Sequence, residues 1–316
     1  MNRLSGVSSY RQKTIKTSIA CTGVGLHGGS RVRMTLRPAA AETGIVFRRS
    51  DVAAADADIR ALWSNVVDTR LCTAIGNEAG TRVATIEHLM AAFAGAEIDN
   101  CVVELDAPEV PVMDGSAAPV VFLIECAGIA EQDAPRRAIQ LLAPVTIVDK
   151  DRRIALTPAD ELSIDFAIDF ESSAIARQRR TVALEPWSFR QDVARARTFG
   201  FAHEVAALRQ AGLARGGSLE NSVVIEGDRV VNEEGLRYED EFVRHKILDC
   251  VGDLYLAGAP LLARVAAERS GHRLNNQLLR TLFARRDAWR HIELADPARQ
   301  MPVAAKRRPR LVSAGD

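Results

Sequence analysis

Long apolar runs are missing from this 316-residue chain. No stretch approaches the roughly 18 consecutive apolar residues that a membrane-spanning helix needs, so no integral span is expected. Cysteine is scarce and odd in number: Cys21, Cys72, Cys101, Cys126 and Cys250, with no CxxC pair among them. That excludes a disulfide framework and a Cys-rich metal site, and free thiols suit a reducing, cytoplasmic setting. An excess of charge of either sign is also missing, with 41 Lys plus Arg against 41 Asp plus Glu. Nucleic-acid binding, which draws on a basic face, gains no support. The opening "MNRLSGVSSYRQKTIK" has basic residues but no apolar segment behind them, so it is not expected to be a secretory signal.

The chain has 47% hydrophobic residues, enough for sizeable cores, and its length favours two domains. Period-two alternation predicts strands in "KTIKTSIACTGVGLHGG", "RVRMTLRPA", "GIVFRR" and "DNCVVELD". Helices are predicted within 81–96, with Thr85 as N-cap and Gly95 as terminator, and after "MDGSA", with Ser116 as cap. The polar, Pro-containing "EQDAPRR" (131–137) has the character of a linker. Beyond it strands resume in "AIQLLAPVTIVD", "RRIALTPA" and "LSIDFAIDF", followed by a helix at 201–212. The strands "SVVIEG" and "RVV", a helix at 241–256, the strand "PLLARVAAE" and a long amphipathic helix at 274–290 complete the pattern. Both halves combine sheet segments with two main helices, which points to an α+β fold. The expected division is 1–133 and 134–300, with 301–316 a basic tail.

The 241–256 helix carries a contradiction. Its apolar positions recur at helical spacing, yet His245, Asp249 and Asp253 stand four apart in a single polar stripe. Buried carboxylates need partners. A His and an Asp one turn apart suit two ligands of one metal, but also an ordinary surface hydrogen-bonded pair. A third ligand must come from among the other histidines: His27, His88, His203, His272 and His291. His88 stands out beside Glu87 on an apolar helix, and His272 lies at a strand-to-helix junction. His203 opens "HEVAA", which is not HExxH, so a zincin motif is excluded. His291 is expected near the end of the last helix, where a cation suits the helix dipole.

Several long segments, in order, resemble the UDP-3-O-acyl-N-acetylglucosamine deacetylase family. They are "GVGLHGG" (23–29), "TIEHLMAAFAGAEIDN" (85–100), "PEVPVMDGSAAP" (108–119), "ARARTFGF" (194–201), "LRYEDEFVRHKILDCVGDLYLAG" (236–258) and "SGHRLNN" (270–276). The resemblance implies two similar α/β sandwiches, each a mainly antiparallel sheet with two main helices, packed helix layer to helix layer, with small inserts. It implies a monomeric zinc hydrolase that removes acetate from UDP-3-O-[(R)-3-hydroxyacyl]-N-acetylglucosamine, the committed step of lipid A synthesis. His88, His245 and Asp249 would be the metal ligands. The donor set alone would equally accept Fe(II). Glu87 would be the general base and His272 the protonated partner of oxyanion and leaving amine. Asp253 would orient His272, and Thr198 would help polarise the carbonyl. Lys246, Asp169 and Phe170 would contact the UDP-sugar, with Phe170 stacking on the base. An insert at about 198–231 would form an acyl passage lined by Phe199, Val205, Gly217, Ser218 and Leu219, with Leu26 and Cys72 at its mouth. Asp114 is expected to be structural.

Overall fold

The computed structural model describes residues 10–294; the basic tail at 301–316 lies outside the described residues. The first half forms β1 (Arg11–Ile15), β2 (Ile19–Val24), β3 (Arg31–Pro38), β4 (Ile45–Arg49), β5 (Asp58–Arg60), β6 (Val66–Asp68), β7 (Ala74–Gly76) and β8 (Arg82–Val83). Then come α1 (Glu87–Gly95), β9 (Cys101–Leu105), α2 (Ala118–Ala127) and β10 (Ile129–Pro135). The second half runs β11 (Arg137–Leu141), β12 (Val145–Asp149), β13 (Arg152–Pro158), β14 (Ser163–Asp169) and β15 (Arg177–Ala183), then the short α3 (Pro186–Ser188). It continues with β16 (Phe199–Phe201), α4 (Ala202–Gln210), β17 (Val223–Glu226), β18 (Arg229–Val230), α5 (Glu241–Tyr255), β19 (Leu261–Glu268), α6 (His272–Ala284) and β20 (Trp289–Glu293).

Two α/β sandwiches result. The first sheet has the order β2-β3-β9-β4-β5, antiparallel except for the β4/β9 pair. The second has the order β12-β13-β19-β11-β20, with β14 and β15 branching from β19. Small sheets β6-β7-β8 and β16-β17-β18 are inserts, one in each half. Alternation explains the layering: in β3, Val32, Met34 and Leu36 point into the core while Arg31 and Arg33 stay exposed.

The helices α1 and α5 lie between the sheets, packed on each other. Their approach is set by Gly252, where an added Cβ would fall 1.9 Å from the Glu87 carbonyl oxygen and 3.1 Å from Ala91 N. A mid-helix glycine costs about 1 kcal/mol against alanine; here it admits the backbone of the other helix. Around this crossing Leu89, Phe93, Leu248 and Val251 are buried, so a helix with acidic groups on one stripe is still driven inside by its other faces.

Four local expectations need correction. Thr85 is not the N-cap of α1: that position is Ile86, and Thr85 takes a left-handed φ of 59° and bonds to Glu109 instead. Ser116 sits one residue before the cap of α2, although its Oγ still accepts the Ala118 N–H at 3.2 Å. The segment read as a linker is largely strand β10, paired antiparallel with β1. The last helix stops at Ala284, and 289–293 forms β20, whose antiparallel pairing with β11 places His291 on a strand opposite Ile139. In the last two cases the free side of a strand, the lone β1 or the sheet-edge β11, captures a segment of weak intrinsic preference.

Candidate metal centre and catalytic cleft

The polar stripe of α5 is buried along its whole length and begins one turn earlier than its sequence pattern suggests, at Glu241. Glu241, His245, Asp249 and Asp253 all have less than a tenth of their surface exposed, so each must be partnered or serve a ligand. Glu241 is neutralised by Arg197, itself fully buried, with Oε1 accepting from Nε at 2.9 Å. Asp253 is also fully occupied. Its Oδ2 accepts from His272 Nδ1 at 2.8 Å and Asn275 Nδ2 at 2.8 Å, and its Oδ1 accepts from the Thr73 hydroxyl at 2.5 Å.

Asp249 differs. Its Oδ2 accepts from Lys246 Nζ at 2.6 Å, but its buried Oδ1 has no hydrogen-bond partner. That oxygen faces His245 Nε2 at 3.3 Å and His88 Nε2 at 3.5 Å, and the three donor atoms lie within 4.8 Å of one another. The two imidazoles meet edge to face, with centroids 4.9 Å apart. The Nδ1 of His245 lies 3.1 Å from the Ala196 carbonyl. Donation to that oxygen fixes the tautomer and turns a lone pair on Nε2 toward the cluster. Two imidazole nitrogens and an orphaned carboxylate oxygen are the donors a divalent transition metal takes, so the residues fit such an ion. His88 comes from the first sandwich, and His245 and Asp249 from the second.

Ionisation follows from burial and neighbours. Burial pushes His245 down to about 4, against the pull of Asp249, so its imidazole is a neutral donor. Burial would raise Asp249, but His245 and then Lys246 beside it outweigh burial and hold the carboxyl well below its ordinary range. Burial raises Glu87, with His272 and His88 opposing. Burial opposes the charge on His272 as well, yet Asp253, by charge and hydrogen bond, carries it up to about 9. Glu87 is held by the Thr73 N–H on Oε2 at 3.0 Å, and its Oε1 lies 3.9 Å from His272 Nε2. A carboxylate suited to take a proton and an imidazolium suited to give one therefore flank the donor cluster.

This cluster forms the floor of a cleft of about 430 Å³. Its walls carry Thr198, Lys246 and Phe170, together with Arg70, Arg152 and Arg269. Leu26, Leu71, Thr198, Phe199 and Glu204 are shared with a second, mostly apolar space of about 460 Å³, whose lining includes Val205, Leu208, Gly217, Ser218, Leu219 and Val224. A polar cleft thus opens into an apolar passage.

The amino-acid sequence compares closely with known proteins. Residues 12–284 match the family model described as UDP-3-O-acyl N-acetylglycosamine deacetylase. A protein of Acidithiobacillus ferrooxidans named UDP-3-O-acyl-N-acetylglucosamine deacetylase is 53% identical over 288 residues, covering 90% of this chain and 94% of the relative. Proteins with the same name from Phenylobacterium zucineum (53% over 279 residues, 88% and 95% covered) and Idiomarina loihiensis (47% over 297 residues, 93% and 96% covered) align as fully. The chain belongs to the UDP-3-O-acyl-N-acetylglucosamine deacetylase family. Among the described residues, no helix is long and apolar enough to cross a membrane.

Within this deacetylase fold most residues singled out from sequence meet at one place: Glu87, His88, Thr198, His245, Lys246, Asp249 and His272 all line the cleft. Phe170 does too, packed edge-on against Phe199 with centroids 5.8 Å apart. Three lie outside both linings, the first being Asp253, which reaches the cleft through His272 Nδ1 at 2.8 Å. Asp169 is tied to Arg269 at 2.6 Å, so it reaches the cleft only through that guanidinium. Cys72 has its thiol pushed up to about 12, first by burial and then by the charge of Glu87. Asp114 accepts from Ser116 and pairs with Arg237 away from the cluster. Sequence reasoning missed Thr73, Asn275 and the Ala196 carbonyl, which hold Glu87, Asp253 and His245. Asn275 lies inside the quoted "SGHRLNN" and was findable; Thr73 and a backbone carbonyl carry no composition signal.

Proposed function

We propose that this chain is a zinc-dependent amidohydrolase, acting as a cytoplasmic monomer. It hydrolyses the N-acetyl group of UDP-3-O-[(R)-3-hydroxyacyl]-N-acetylglucosamine to the free 2-amine and acetate, the committed step of lipid A synthesis. The observation that carries this reading is the union of three features: a three-donor cluster with an orphaned Asp249 oxygen, an apolar passage, and a cleft wall with three arginines. An amphiphile with an acyl chain on one side and an anionic nucleotide on the other matches that division. The names and high identity of the relatives support the same substrate.

His88, His245 and Asp249 would hold the ion. Zinc in that position would supply Lewis acidity and lower the pKa of water toward about 7. Glu87 accepts the proton that the attacking water loses as its oxygen bonds to the acetyl carbon. Thr198 and the His272 imidazolium face the developing negative charge on the carbonyl oxygen. His272 then donates its proton to the nitrogen as the C–N bond breaks, and Asp253 keeps that ring oriented and charged. Lys246 neutralises the outer oxygen of Asp249 and borders the cleft beside Arg152 and Arg269, where the nucleotide phosphates fit. Phe170 offers a ring face to the base.

Elemental analysis of purified protein, alongside acetate release from the acylated UDP-sugar, tests the reading. About one zinc per chain with turnover is expected, and Asp249→Ala should lose both. One zinc without turnover would move the assignment to another amide. No metal under any reconstitution would overturn the mechanism.

A further inference from the structure

One buried carboxylate near the cleft has no part in the chemistry above. Glu109 lies between β9 and α2, buried, with its carboxylate inside the turn that joins β2 to β3. Its Oε1 accepts the His27 N–H at 2.8 Å and its Oε2 accepts the Gly28 N–H at 2.8 Å. Two successive backbone donors converge on one anion, the arrangement of a backbone nest. Oε1 also accepts from the Thr85 hydroxyl at 2.9 Å. Thr85 is β-branched at φ 59°, a conformation that needs outside support, and it stands two residues before Glu87.

The turn is moulded around this carboxylate. A Cβ on Gly25 would fall 2.5 Å from Glu109 Oε2. On its other side the turn is bonded to the insert of the second sandwich: Arg215 N donates to the His27 carbonyl at 3.2 Å and Gly216 N to the Leu26 carbonyl at 3.0 Å. A Cβ on Gly216 would lie 2.2 Å from the Gly25 carbonyl oxygen. Leu26, at the junction of cleft and passage, and Gly217, in the passage wall, are therefore held in register by a chain of contacts that ends on Glu109.

We propose that Glu109 is a positioning residue that sets acyl-chain selectivity, by fixing the Gly25–Gly29 turn as a wall of the apolar passage. The inference rests on the substrate class proposed above. Loss of the carboxylate frees the turn, the wall loses its fixed shape, and the preference for a long acyl chain over a short one falls.

The test compares wild type, Glu109→Gln and Glu109→Ala on acylated UDP-sugars with a long and a short chain, with zinc content and melting temperature measured in parallel. Glutamine keeps an oxygen for His27 N–H and Thr85 but turns an amide donor toward Gly28 N–H; alanine loses all three bonds. The long-to-short ratio of kcat/KM should fall about tenfold in Glu109→Ala, through KM for the long chain, and less in Glu109→Gln, with zinc retained. An equal fall on both substrates, or loss of zinc from both variants, would make Glu109 a support of α1 alone and overturn the proposal. If wild type turns over neither substrate, the functional reading fails, and binding of a fluorescent long-chain fatty acid then decides the matter. Weaker binding by Glu109→Ala would keep Glu109 as the determinant of the passage wall; unchanged binding would remove it.

Discussion

Replacing Asp253 with Asn isolates the charge that His272 depends on. The carboxylate accepts from His272 and Asn275 on Oδ2 and from Thr73 on Oδ1. An asparagine fits without rearrangement if its carbonyl oxygen stays toward His272 and Asn275, both donors. Its amide then faces the Thr73 hydroxyl, which can turn to accept. Geometry is kept and the charge is removed. The His272 pKa, about 9 beside Asp253, should fall back toward the ordinary histidine value of about 6.5, a change worth about 3 kcal/mol. At pH 7.5 the protonated fraction drops from nearly all to about a tenth, so kcat/KM falls about tenfold, and less at lower pH. The stability effect has a definite sign. A raised pKa stabilises the fold fully below the unfolded value near 6.5 and ceases to do so as pH climbs through about 9. The deficit of the variant should therefore be greatest on the acid side and fade across that window. Acetate release as a function of pH, with the His272 ring titration followed by NMR, measures both. A tenfold or larger loss that is uniform from pH 6 to 9, with the ring titrating as before, would refute an electrostatic role for Asp253.

Two further substitutions probe the chemistry and the scaffold. Glu87→Ala should retain zinc and lose turnover by about 10²–10⁴-fold, the usual worth of a general base; full activity at unchanged metal content would remove Glu87 from that role. Gly252→Ala places a methyl 1.9 Å from the Glu87 carbonyl, so α1 and α5 must separate. A destabilisation of about 3 kcal/mol or more, with weakened zinc affinity, is expected from calorimetry and metal titration, and an unaltered melting curve would contradict the packing described here.

How much of this was visible in the sequence depended on the range of the forces involved. The stripe at His245, Asp249 and Asp253 is a helix periodicity, and helix α5 forms on local grounds, so its burial could be argued from the apolar residues between. The addition of His88 and His272 required long motifs, since nothing local links residues so distant in the chain. The strands at 129–135 and 289–293 were not legible. Their alternation is weak, and each exists because β1 or β11 offers an edge. Thr85 misled for a related reason. A hydroxyl residue before a helix ordinarily caps it, but here the buried Glu109 competes for the hydroxyl, and the backbone turns left-handed.

The division of the candidate metal donors between the two sandwiches has a thermodynamic consequence. Because His88 belongs to one and His245 and Asp249 to the other, an ion bound by all three exists only while the sandwiches are docked. Its binding energy is then a tether across their interface. Metal at a hundredfold excess over its Kd would add about 2.7 kcal/mol to the docked state. Chelation should thus loosen the whole molecule, and resistance to proteolysis should track the concentration of free metal.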